Sequence, residues 1–163
     1  MSGTEKVLYP EDIELKKVKT GNKIVVAGAG FTGLEMALSL AMNGKDVTVI
    51  DKIPREKIGA DGIHISMVAL KELMNKYDIK FKCSVKLCDV TEDGAVIEDE
   101  SGHQEILNCD NVVISFGVKT DEEEVNKLKE INENTYVIGD CRNIKGGNLF
   151  NAVRTAFDAA MDL

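Results

Sequence analysis

Three observations in this sequence predict an α/β fold: a parallel sheet with a three-stranded antiparallel meander as crossover, and a closing helix. First, Ile24-Val25-Val26-Ala27, Val47-Thr48-Val49-Ile50 and Val112-Val113-Ile114-Ser115 are short apolar, β-branched runs. Such runs suit strands buried on both faces. Second, helical patterns follow the first two of them, as βαβ crossovers require. Third, the turn signals Glu92-Asp93-Gly94 and Ser101-Gly102 divide residues 85–107 into short strands.

Residues 1–20, with Tyr9-Pro10-Glu11-Asp12 and Lys16-Lys17-Val18-Lys19, read as a polar leader over the surface or the stub of a linker. From Lys23 a strand runs into Gly28-Ala29-Gly30-Phe31-Thr32-Gly33. A helix carrying Leu34, Met36, Ala37, Leu38, Leu40 and Ala41 follows and ends at Asn43-Gly44, a C-cap signal. The second strand ends at Asp51, and a loop through Pro54, Gly59 and Gly62 leads to a helix near residues 66–76. Its apolar side is Met67, Leu70, Leu73, Met74 and Tyr77; Ile79-Lys80-Phe81 is the third strand. This is a βαβαβ unit, the start of a Rossmann-like parallel sheet. The meander strands are expected at Val85–Val90, Ala95–Glu98 and Gln104–Leu107. Residues 121–130 read as a helix whose acidic first turn, Asp121-Glu122-Glu123-Glu124, suits the helix dipole. Tyr136-Val137-Ile138 reads as a buried strand, and residues 148–162 as a closing helix with Leu149, Val153, Ala156, Phe157 and Ala160 inward. The expected division is a leader at 1–20, a Rossmann-like domain at 21–134, and a terminal strand and helix at 135–163.

Composition narrows the function classes. With 44% apolar and 29% charged residues the chain is expected to be globular. A net charge of -8 argues against nucleic acid as the main partner. Residues 1–82 hold 13 of the basic and 11 of the acidic side chains, so the first half retains room for a local anion site. No apolar run approaches the length of a membrane span, and Met1-Ser2-Gly3-Thr4-Glu5-Lys6 lacks a signal-peptide core. Four cysteines (Cys83, Cys88, Cys109, Cys141) in a chain that needs no staples fit a reducing cytoplasm. Cys83 and Cys88, five apart in an extended segment, would lie roughly 16 Å from one another. A disulfide needs about 7 Å or less, so both read as packing cysteines. His64 and His103 have no partner at metal-ligand spacing. No paired carboxylates or nucleophile triad emerge.

The glycine motif carries the chemistry. Gly28 permits the strand-to-helix turn, Gly30 lets backbone approach a pyrophosphate, and Gly33 lets the helix pack on the strand. The helix N-terminus offers N–H groups and a positive dipole end to phosphate. Asp51, 23 positions after Gly28, is placed for the adenosine ribose hydroxyls. A carboxylate there repels a 2′-phosphate, which favours NAD(H) over NADP(H). Lys52, Arg55 and Lys57 follow closely enough to shelter such a phosphate.

Together with the meander, Asp110-Asn111-Val112-Val113-Ile114-Ser115-Phe116-Gly117 and Thr135-Tyr136-Val137-Ile138-Gly139-Asp140-Cys141, this order resembles the NAD(H)-binding domain of the pyridine nucleotide-dependent flavoprotein reductases. It is most similar to the C-terminal part of multidomain NADH:flavin oxidoreductases of the old yellow enzyme type, including 2-enoate reductases, 2,4-dienoyl-CoA reductase and trimethylamine dehydrogenase. The resemblance implies that Gly28, Ala29, Gly30, Phe31, Thr32 and Gly33 hold the NADH pyrophosphate, with Asp51 and Lys52 at the ribose. It implies Glu35 as an acid near the nicotinamide, Gly117 beside the nicotinamide nucleotide, and Gly139-Asp140 at the ribityl chain of FAD. The Arg or Pro that often follows the glycine at 117 is replaced by Val118-Lys119-Thr120. The sequence has one glycine fingerprint and no second one for FAD, so FAD is expected in a complete parent enzyme and not retained by this chain. The implied partners are the flavin and catalytic barrel domains of that enzyme or a separate subunit; a homo-oligomer is compatible, nucleic acid and membrane are not expected. A rival reading is a stand-alone NAD(H)-sensing regulatory module, which explains Gly28–Asp51 equally well but not the meander or Gly139-Asp140.

Overall fold

The computed structural model describes residues 3–59, 64–117, 119–142 and 149–162. The chain divides into two compact units, Met1–Phe116 and Gly117–Leu163. In chain order the first holds β1 (Val7–Leu8), α1 (Pro10–Glu14), β2 (Lys23–Ala27), α2 (Phe31–Met42), β3 (Asp46–Asp51), α3 (His64–Lys76) and β4 (Lys80–Cys83). It continues with β5 (Val85–Thr91), β6 (Gly94–Asp99), β7 (Gln104–Asn108) and β8 (Asn111–Ile114). The second unit holds α4 (Glu122–Ile131), a 3-10 turn at Gly139–Arg142, and α5 (Leu149–Met161).

A five-stranded sheet in the order β1-β8-β2-β3-β4 is parallel throughout, and β5-β6-β7 form a separate antiparallel sheet. The β-branched runs build the parallel sheet because successive side chains point to opposite faces. In β2, Ile24 and Val26 pack on the helical side, while Val25 and Ala27 pack under the meander. Val47, Val49 and Val113 join the first layer, and Ile50 and Val112 the second. Both faces are therefore dry, which is why these strands read as continuous apolar runs. The meander covers its face with Val85, Val90, Ala95 and Ile97. Each fully buried aliphatic side chain here contributes about 1.5–3 kcal/mol.

Four expectations from the sequence need correction. The leader does not merely lie over the surface: Val7 and Leu8 form an edge strand paired with Val112 and Val113 of β8, and Leu8 is buried. A two-residue strand has too little periodicity to be read from sequence. Tyr136-Val137-Ile138 forms no strand, and Tyr136 and Ile138 are exposed. A strand needs ladder partners for its backbone groups, and the second unit has no sheet among its described residues. The stripe of α5 expected inward is largely outward, with Leu149 81%, Val153 62% and Phe157 63% exposed and Ala160 exposed as well. Two helices and one turn leave nothing within the described unit to cover it. Finally, Cys88 is exposed and not packed: alternation along β5 turns Val85 and Leu87 inward and Lys86 and Cys88 outward, and the irregularity between Leu87 and Asp89 returns Val90 to the core. Cys83, Cys88, Cys109 and Cys141 are all free thiols.

Two carboxylates tie loops in the first unit. Asp110 accepts from the Lys23 and Asn22 N–H groups at 2.8 and 2.6 Å, and these bonds hold its carboxyl below the usual range. Asp99 accepts from the Ser101 hydroxyl and N–H and from the His103 N–H, with the same effect led by Ser101. A carboxyl lowered in the folded state stabilises it fully above the unfolded pKa, and that contribution is lost as pH falls through the folded one. Urea midpoints measured against pH should therefore drop as acid passes below about 3.8, the ordinary Asp value. Asp110→Asn should lower the neutral midpoint and flatten that acid limb.

Candidate functional site

The parallel order reverses between β8 and β2: β3 and β4 lie to one side of β2, β8 and β1 to the other. In open α/β sheets the crevice outside the carboxyl ends at such a switch point is where ligands bind. The glycine turn leaves β2 at that edge. Gly28 has φ 112, a conformation that L side chains rarely adopt, and a Cβ there would stand 2.1 Å from the Ser115 carbonyl oxygen. A Cβ on Gly33 would stand 2.0 Å from the Gly28 carbonyl oxygen. These two glycines thus allow β8, β2 and α2 to close on each other. Gly30 differs: its φ is ordinary at −68 and a Cβ would meet nothing within 4 Å. Its missing side chain keeps open space in front of the first turn of α2. As N-cap it supplies no side-chain acceptor, so that turn's leading N–H groups have no side-chain cap. Phe31 and Thr32 are exposed beside it, and Gly33 is buried.

The end of β3 meets this turn through the Gly28 N–H, which donates to the Ile50 carbonyl at 2.9 Å, and through one side chain. Asp51 Oδ2 accepts from the Ala29 N–H at 2.6 Å and Oδ1 from the Ile53 N–H at 3.0 Å. The carboxylate stays half-buried against the loop. Gly28, Ala29, Gly30, Phe31, Thr32, Gly33 and Asp51 are therefore in one place, with Lys52 exposed next to them. An exposed helix start without a side-chain cap, opposite open space and beside a carboxylate, fits a dinucleotide pyrophosphate and its ribose. Glu35 is exposed further along α2. Of the basic residues after Asp51, Lys57 is exposed and Arg55 places its guanidinium 3.5 Å over the Phe81 ring. That cation–π contact joins residues 26 apart and had no sequence signal. Beside it, burial pushes the Cys83 thiol up against the lowering influence of Arg55, which leaves it a poor nucleophile.

Gly117, Gly139 and Asp140 belong to the second unit. Gly117 has φ 81 and Gly139 φ 59. The Gly139 N–H donates to Thr155 Oγ1 at 2.8 Å, and that hydroxyl donates to the Asn151 carbonyl at 2.7 Å. Thr155, 4% exposed, thereby ties the Gly139–Arg142 turn to α5; a lone hydroxyl among alanines was its only sequence signal. Asp140 is exposed and its carbonyl accepts from the Thr120 hydroxyl. Among the described residues no cluster of three or more His, Cys, Asp or Glu has metal-binding geometry. No described helix is long and apolar enough to cross a membrane.

Comparison with known proteins agrees with this architecture. Residues 4–160 match the family model for pyridine nucleotide-disulphide oxidoreductases. The chain is 26% identical to cinnamate reductase of Clostridium sporogenes, over all of this chain and 24% of that protein. A 2-naphthoyl-CoA reductase structure, in complex with 2-naphthoyl-CoA, superposes with a TM-score of 0.85 at 27% identity, covering 98% of this chain and 24% of that one. Histamine dehydrogenase from Rhizobium sp. 4-9 shares the fold, with a TM-score of 0.80 at 16% identity over 97% of this chain and 26% of that one. The chain thus spans about a quarter of the length of these relatives.

The glycines have separable duties. Gly28→Ala should destabilise the chain by about 2 kcal/mol or more, through its φ and the Ser115 approach. Gly30→Ala should cost no more than about 1 kcal/mol, the loss of a glycine N-cap. Urea unfolding of both variants beside the unaltered chain measures the difference.

Proposed function

We propose that this chain, which belongs to the pyridine nucleotide-disulphide oxidoreductase family, is the NADH-binding domain of a flavin-dependent reductase of the enoate-reductase type. The observation that carries the proposal is the Gly28–Gly33 turn locked to Asp51, with open space kept in front of Gly30. The N–H groups at the start of α2 bind the pyrophosphate, and the helix dipole adds to them. Asp51 accepts from the adenosine ribose hydroxyls, and Lys52 lies at the same end. Glu35 and Gly117 serve the nicotinamide half. Gly139 and Asp140 serve the flavin side, where Thr155 holds their turn in shape.

When bound, NADH supplies a hydride and FAD accepts it; that chemistry belongs to the cofactors. The chain's own work is to bind, orient and exclude competing geometries. FAD is held by the parent enzyme and not by this chain alone, since only one glycine fingerprint is present. The exposed stripe of Leu149, Val153 and Phe157 on α5 is the surface that meets the flavin domain of the parent enzyme or of a separate subunit. The similarity to cinnamate reductase and 2-naphthoyl-CoA reductase supports an unsaturated acid derivative as the substrate class of the whole enzyme. We assign the chain to the cytoplasm on its cysteine usage, four free thiols in a fold that needs no staples.

A stand-alone NAD(H)-sensing module is not favoured, because the family match continues through the meander and the Gly139 turn to residue 160. Parallel calorimetric titrations with NADH, NADPH and FAD test the proposal. NADH should bind, NADPH more weakly, and FAD not measurably. Asp51→Ala should lower NADH affinity by about tenfold or more, as loss of hydrogen bonds to a charged acceptor implies. Gly30→Ala should do likewise while keeping the fold. Unchanged NADH affinity in both variants would contradict the site.

A further inference from the structure

A cavity of about 420 Å³ opens beside Asp51, lined by Lys52, Ser84, Val85, Glu100, Ser101 and Gly102 among others. Its position follows from the ladder. Asp51 pairs with Cys83 across β3 and β4, and the next residue, Ser84, turns with φ 56 and donates its N–H to the Ile53 carbonyl. β5 then begins at Val85, which pairs with Asp99, so the β6–β7 turn comes to the same edge. Any nucleoside whose ribose is held by Asp51 has its 2′ position and its base close to this cavity.

The charges around that position are mostly spoken for. Lys86 is paired with Glu98 at 2.5 Å, and Glu98 also accepts from Gln104. Asp99 is committed to the Ser101 and His103 donors of the turn. Arg55, the residue best shaped to clasp a phosphate, is stacked on Phe81. Glu100 is exposed at the turn. The cavity lining has two cations, Lys52 and Lys86, against three carboxylates, Glu98, Asp99 and Glu100, and Asp51 is the residue before Lys52 in the chain.

We propose that the Glu100–Gly102 turn of the meander is the cofactor-selecting wall of the dinucleotide site, with Glu100 admitting a 2′-hydroxyl and repelling a 2′-phosphate. The proposal rests on the NADH-site reading above and assigns a selective task to an element whose visible duty is to cover the sheet. A phosphate monoester brings nearly two negative charges to a place already net negative, where Lys86 is paired with Glu98, Arg55 is stacked on Phe81, and Lys52 is the one lining cation with no ion pair among the described residues. A hydroxyl brings none.

The test uses the chain as it is, with Glu100→Lys and, as a control, Glu92→Lys. Glu92 lies in the β5–β6 turn, at the opposite end of the same meander, so it makes the same change in net charge away from the cavity. Both positions are exposed, and thermal melts check that both variants fold. Calorimetry gives NADH and NADPH affinities for each. Glu100→Lys should tighten NADPH relative to NADH by about tenfold, with NADH itself changed less than about twofold; Glu92→Lys should leave the ratio within about twofold. An unchanged ratio in Glu100→Lys, or an equal change in Glu92→Lys, would overturn the selecting wall and leave the NADH site standing. Failure of the unaltered chain to bind either nucleotide would overturn the site, and the wall with it.

Discussion

The hydrogen bond from the Ala29 N–H to the Asp51 carboxylate is the contact on which the site depends. It joins the turn after β2 to the end of β3 one residue beyond the last ladder bond, from the Gly28 N–H to the Ile50 carbonyl. Asp51 also receives the Ile53 N–H, so one carboxylate shapes both the glycine turn and the loop after β3. The turn can take this shape only because Gly28 and Gly33 permit approaches that a Cβ would block. Gly30 contributes by what it leaves empty. Strand end, turn, helix start and carboxylate are therefore one object, and a change at any of them is felt at the others.

The supporting fold is built to keep that edge fixed. β2 lies in the middle of the parallel sheet with apolar side chains buried on both faces, so the turn emerges from a strand packed on both sides. The meander serves the second face and also delivers its β6–β7 turn to the carboxyl edge, where a helix would present side chains at a different height and spacing. The unit Gly117–Leu163 has the opposite character. It carries an amphipathic helix whose apolar stripe is uncovered, with an extended segment that has no ladder partners among the described residues of its unit. Apolar surface of that kind is ordinarily the mark of a missing neighbour.

Much of this was legible in the sequence for physical reasons. Strands buried on both faces announce themselves as unbroken apolar runs, and the 3.6-residue spacing revealed α2 and α3. Asp121 was legible as the start of an acidic first turn, and its carboxylate does accept from the Glu124 N–H. The cluster Gly28–Gly33 with Asp51 was legible because spacing alone brings a turn and the next strand end together. What could not be read depends on partners remote in sequence. Val7 and Leu8 become a strand only because β8 offers an edge. Tyr136-Val137-Ile138 has a strand's composition without a strand's neighbours. The Arg55–Phe81 stack and the Gly139–Thr155 bond link residues whose types say nothing of each other. Val90 returns to the core side through a bulge after Leu87, which shifts register without altering composition.

The most direct check of the switch-point site is residue by residue. Backbone amide resonances of the chain, followed by nuclear magnetic resonance during titration with NADH, report which edge of the sheet meets the ligand. Saturable shifts should concentrate at Ala29, Gly30, Phe31, Thr32 and Ile53, with Asn22 and Lys23 at the amino edge unmoved. Shifts centred on the amino edge, or none along the Gly28–Gly33 turn at saturation, would contradict the site.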